Sequence, residues 1–66
     1  MSKKRAVPFK CTTVDAFTII VLARSPKGAA SVAETHGHKV QRLGMHWAAV
    51  EVDESHRTHA INAPVI

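Results

Sequence analysis

Five histidines and one cysteine stand among the 66 residues. Imidazole and thiolate are the ligands zinc prefers. His36 and His38 bracket Gly37, and His46 and Cys11 would complete a set of four. Zinc fingers use paired ligands at short intervals in both halves, and that spacing is lacking. His36 also falls on the apolar face of an expected helix, where a core histidine or a cation at the helix C-terminus is the simpler reading. His56 and His59 lie in the closing stretch. A His/Cys metal site is therefore a minor alternative, and no cofactor is expected. Cys11 beside a histidine is also the formal minimum of a thiol nucleophile, but such a pair needs a pocket to hold it. At an inward strand position, Cys11 reads as a small buried hydrophobe. Acidic residues number five, and no two are spaced for general acid–base work. No glycine-rich phosphate loop is present. The expectation is a protein that is not an enzyme.

Charge points more clearly towards binding. Nine lysines and arginines against five acids leave a formal charge of +4. Lys3, Lys4, Arg5 and Lys10 crowd the first ten residues, whereas Glu51, Asp53 and Glu54 cluster near the other end. Arg24, Lys27, Lys39 and Arg42 fall near the two ends of the expected helix. Phosphate contacts ask for little beyond such charge, so direct DNA or RNA binding is one candidate. Base stacking would require aromatic side chains on an open sheet. Only Phe9, Phe17 and Trp47 are aromatic, and both phenylalanines are expected inside. A helix-turn-helix needs two helices, and one is legible. A ribbon-helix-helix would need a second helix over Arg42 to Val50, which Gly44 and the alternation beyond it oppose. Trp47 falls on the solvent side of its expected strand, where tryptophan is a frequent interface anchor. The competing reading has it covering the open end of a thin sheet.

These side chains must be positioned by few elements. Phe17 to Ala23 is rich in β-branched residues and apolar on both faces, which predicts a central strand. Phe17, Ile19, Val21 and Ala23 would share one face, Ile20 and Leu22 the other. Ser25 is a good N-cap and Pro26 suits the first helical position. Ala29, Val32, Ala33 and His36 recur at helical spacing, and Gly37 supplies a left-handed terminator. A helix from about Pro26 to His36 follows. Val7, Phe9 and Cys11 alternate with Pro8, Lys10 and Thr12, as in an edge strand that tolerates proline. Val14-Asp15-Ala16 would turn it into the next strand. His38 to Leu43 suggests a short strand with Val40 inward, and Gly44-Met45 a turn. His46 to Asp53 alternates, with Ala48, Val50 and Val52 on one face and Trp47, Glu51 and Asp53 on the other.

The fold class expected is α+β: a small, mainly antiparallel sheet in the order β-β-α-β-β, packed by one helix. Residues 1–5 read as a flexible basic arm, 6–53 as one domain, and 54–66 as a loosely ordered tail unless Ile61, Val65 and Ile66 dock. The core must be thin at this length. A lone cysteine excludes an internal disulfide and favours a reducing, cytoplasmic setting. The apolar run from Ala16 to Ala23 is too short to span a bilayer, so no membrane is expected. The leading functional reading is a small non-catalytic binding protein that docks on a protein or nucleoprotein complex, a nucleic-acid-handling machine among them. Lys3, Lys4, Arg5, Lys10, Arg24, Lys27, Lys39 and Arg42 would steer and Trp47 would anchor. Strand edges could also pair two copies into a homodimer. No motif carries a family resemblance. Size and charge alone suit the phage- or plasmid-type accessory and inhibitor proteins, which include the anti-CRISPR inhibitors.

Overall fold

The first hairpin sets the frame. In the computed structural model, which describes residues 5–63, β1 (Val7–Thr12) pairs antiparallel with β2 (Thr18–Ala23), from Val7 opposite Ala23 to Thr12 opposite Thr18. The turn is closed three times. The Ala16 amide donates to the Thr13 carbonyl at 2.9 Å, the Thr13 amide to the Phe17 carbonyl at 2.8 Å, and the Phe17 amide to Thr13 Oγ1 at 3.1 Å. Ala16 sits at φ 67°. A tight turn followed by a left-handed residue is a common three-residue hairpin loop, and that last position normally prefers glycine.

Helix α1 (Pro26–Thr35) follows the expected signals. Ser25 Oγ accepts from the Gly28 amide at 3.0 Å, and Pro26 opens the first turn. At the other end Gly37 takes φ +88°. Its amide reaches the Glu34 carbonyl and that of His38 reaches Ala33, both at 2.9 Å, which satisfies carbonyls the helix leaves free. Ala29, Ala30 and Ala33 are buried. They let the helix lie close to Phe9, Cys11, Val21, Ala23 and Ala49, and Val40 closes the cluster.

Strand order departs from expectation. The three-stranded sheet runs β2-β1-β5, with β5 at Ala49–Glu51, so β1 is central and β2 lies at the edge. Both faces of β2 are nevertheless covered. Ile19, Val21 and Ala23 pair with the β1 residues that face α1. Leu22 is buried on the opposite face, where the 3-10 helix Glu54–His59 packs on β1 and β2. The β2 edge is covered as well. The Ile61 amide donates to the Ile20 carbonyl at 2.8 Å. Asn62 Oδ1 accepts from the Leu22 amide at 2.7 Å, while Asn62 Nδ2 donates to the Leu22 carbonyl at 3.0 Å. A single side-chain amide thus stands in for a neighbouring strand. The 3-10 helix and residues 60–62 hold the sheet from behind, Ile61 docking on β2 through its amide. Arg57 grips Glu54 through two 2.8 Å bonds and the Ala6 carbonyl through a third of 2.8 Å.

Pro8 sits inside the central strand, beside the end of β5. Its carbonyl accepts from Val52 at 3.0 Å, one residue past the end of β5. The proline nitrogen faces the same side and can offer no donor to Val52 opposite, so the ladder stops there.

Two further expectations fail for stated reasons. Phe17 is 68% exposed rather than inward. Helix α1 starts beside the end of β2 and covers about 15 Å, while Phe17 lies about 20 Å back along the strand. The stretch from His46 to Asp53 is not one strand. β3 (Arg42–Leu43) and β4 (His46–Trp47) form a separate hairpin through Gly44-Met45, with Gly44 at φ +66°. The chain then breaks at Ala48, whose amide donates to Gln41 and whose carbonyl accepts from Thr12, both at 2.9 Å. The break inverts the phase: Ala49 is buried opposite Cys11, and Val50, expected inside, is 59% exposed opposite Lys10. A small residue is the one that fits beside an alanine-faced helix.

Candidate functional site

A groove of about 680 Å³ opens beside the start of α1. One wall is the start of α1, with Pro26 and Lys27. The other is the β3–β4 hairpin, with Arg42, Met45, His46 and Trp47. Ala49 and Val50 form the floor. Three residues marked by the sequence, Lys27, Arg42 and Trp47, therefore converge.

Each is placed by local physics. Gly44 allows the two-residue turn that puts Met45 at its tip, 89% exposed. Arg42 lies opposite Trp47 across the hairpin, and its guanidinium carbon stands 4.8 Å from the ring centroid. That is cation–π distance, and it holds the charge over the groove wall. Trp47 is half-buried and packs on the core cluster. It both anchors the hairpin and presents an edge to the groove. Lys27 occupies the first turn of α1, which contains no acidic residue. Helix N-termini carry a partial positive charge that acids normally offset. Here a lysine adds to it, so the groove's field is positive.

The groove also meets peptide groups. Val52 and Ala48 bond to β1. Along an antiparallel edge the bonding direction alternates, so Ala49 and Glu51 turn their N–H and C=O groups away from β1, where no strand of the described residues pairs; Ala49 is buried there and Glu51 is exposed.

The other cations do not join this site. Lys10 lies on the sheet face away from α1, in a hollow of about 240 Å³ with Thr12, Leu43, Ala48 and Val50. Val50 alone borders both depressions. Arg24 is exposed two residues before Pro26, and Lys39 is exposed beyond the opposite end of α1. Arg5 is exposed near Glu54, whose carboxyl is lowered chiefly by its hydrogen bond to Arg57. Lys3 and Lys4, with Val65 and Ile66, lie outside the described residues. Met45, His46, Val50 and Pro26 complete the groove, although the basic clusters of the sequence did not mark them. The usable signal was a methionine beside a turn glycine.

The chemical candidates separate in space. Cys11 is fully buried, and burial pushes its thiol up to about 11. His36 is exposed at the end of α1, not on the core face, and its Nδ1 lies 2.9 Å from the Val32 carbonyl. Among the described residues no three His, Cys, Asp or Glu side chains stand close enough to hold a metal. No described helix is long and apolar enough to cross a membrane. No protein-family model, no curated protein and no solved structure matches the chain.

Proposed function

We propose that this is a non-catalytic binding protein that docks on a protein or nucleoprotein partner through the groove between α1 and the β3–β4 hairpin. The observation that carries this reading is the meeting of Lys27, Arg42 and Trp47 around an exposed Met45. An exposed apolar tip ringed by cations is a common composition for an interface centre and its rim. A direct nucleic-acid binder is less well supported, because phosphate tracking needs cations along one continuous surface. Here Lys10 and Lys39 lie apart from the Lys27–Arg42 pair. A component of a nucleic-acid-handling machine remains the partner class that size and charge favour.

The test places a photo-crosslinking amino acid at Met45, a position so exposed that the fold tolerates it. A second copy of the experiment uses Thr58, which is exposed and is not among the groove residues. In host lysate, irradiation should yield a discrete protein adduct from position 45, absent from position 58 and lost with Arg42→Glu. An adduct to nucleic acid with no protein in it, or equal adducts from both positions, would overturn the reading.

A further inference from the structure

We infer that Met45 is a reversible oxidation site, and that a peroxide, by turning its thioether into a sulfoxide, releases the partner from the groove. This rests on the docking role proposed above and adds its regulation. The first observation is reach. Two sulfur atoms stand among the described residues, and they sit at opposite extremes. Met45 is 89% exposed, more than any other large apolar side chain described, while Cys11 is fully buried. Burial also holds the Cys11 thiol up at about 11, so the thiolate that oxidants attack is scarce. A thioether has no proton to lose, so access alone governs its oxidation. A peroxide that meets the folded chain therefore reaches the sulfur of Met45 and not that of Cys11.

The second observation is where this sulfur lies. Met45 shares the groove with Pro26, Trp47 and Val50, the apolar part of the proposed contact. It stands beside Gly44 at the tip of the β3–β4 hairpin and outside the core cluster. Oxidation there alters the docking surface without touching what holds the fold. The step balances. A sulfur lone pair attacks one oxygen of hydrogen peroxide, the O–O bond breaks, an S=O bond forms and water leaves. Sulfur loses two electrons and the peroxide gains them. The flexible apolar side chain becomes polar and gains an acceptor. A partner that covers it must take that oxygen out of water, which is unfavourable unless a donor replaces the water. Arg42, a donor on the same groove, already lies over the Trp47 ring at 4.8 Å. Two thiols of a methionine sulfoxide reductase reverse the step, leaving a disulfide and water.

The test moves the photo-crosslinking amino acid to the exposed groove position 46, which leaves Met45 in place. The full chain is treated with hydrogen peroxide, freed of it, and irradiated in host lysate dialysed to remove small thiols. Peptide mass spectrometry should find one added oxygen on Met45 and none on Cys11, and the circular dichroism spectrum should not change. The protein adduct should fall at least about tenfold, the effect of stranding one polar atom in an interface. Methionine sulfoxide reductase with dithiothreitol, applied before the lysate, should restore it. Met45→Leu should keep its adduct after peroxide, and Met45→Gln, polar from the start, should lack one before it. Oxygen on Cys11 in place of Met45, a lost spectrum, an undiminished adduct from the oxidised chain, or a Met45→Leu adduct that peroxide still removes would overturn the inference. In the undiminished case the docking role stands and only the switch falls. No adduct from the untreated chain would remove the docking role, and the switch with it.

Discussion

Asn62→Ala should cost the domain about 2 kcal/mol. The wild-type side chain makes two bonds to one residue, 2.7 Å from the Leu22 amide and 3.0 Å to the Leu22 carbonyl. Leu22 is 7% exposed. Truncation leaves a donor and an acceptor unpaired there, and each buried polar group so stranded costs about 1–3 kcal/mol. Asn62 is itself half-buried, so water can enter and recover part of the loss. A net of about 2 kcal/mol lowers the Tm by roughly 8–16 °C in a domain of this size. Urea denaturation with a shared slope measures the free energy, and amide exchange locates it. Asn62→Asp is the informative control. It keeps an acceptor for the Leu22 amide but sets a carboxylate against the Leu22 carbonyl, so it should be no more stable than the alanine variant. A loss below about 0.5 kcal/mol for Asn62→Ala, within the range of an ordinary surface change, would refute the view that this amide substitutes for a strand.

Three other outcomes are expected. Ala16→Gly should stabilise the domain by about 0.5–1 kcal/mol in thermal denaturation. A left-handed alanine costs about 1–2 kcal/mol, and glycine returns part of that gain as chain entropy. Ala33→Leu should destabilise by about 1–3 kcal/mol or more, since a fully buried position against the sheet has no room for a larger side chain; an unchanged urea midpoint would mean the packing there is slack. Cys11, raised to about 11 by burial, should resist a disulfide reagent at pH 8 until the protein unfolds. The folded state holds this proton more tightly than the unfolded chain does. Stability from it is therefore complete below pH 9 and declines as pH rises towards 11, a trend that Cys11→Ala should remove.

The helix was readable because its signals are local. Ser25, Pro26, the alanine stripe and Gly37 lie within one short segment, and each acts on its neighbours. The Gly44-Met45 turn was legible for the same reason. Strand order was not. An apolar, two-faced β2 reads as central unless one knows that Asn62, forty positions away, occupies its edge. Pro8 reads as an edge marker unless the end of β5 is known. The phase of Val50 turns on the break at Ala48, which the carbonyl of Gln41 helps to fix. The site shares that split. Lys27, Arg42 and Trp47 were marked singly by residue type, but only the packing of the hairpin against the start of α1 makes them one surface.

Putting the earliest strand in the middle has a consequence for how this chain acquires its shape. β1 is made first, yet its partner on one side is β5, and Arg57 fastens the Ala6 carbonyl across 51 positions. Such ties across long sequence separations demand loop closure before they repay it, and they slow folding. The first hairpin and α1 can assemble early, but the sheet stays one strand short until β5, Ala49–Glu51, has been synthesised. During that interval the nascent chain carries an unfinished central strand, which makes this stage of its life the most exposed to mispairing and to chaperone capture.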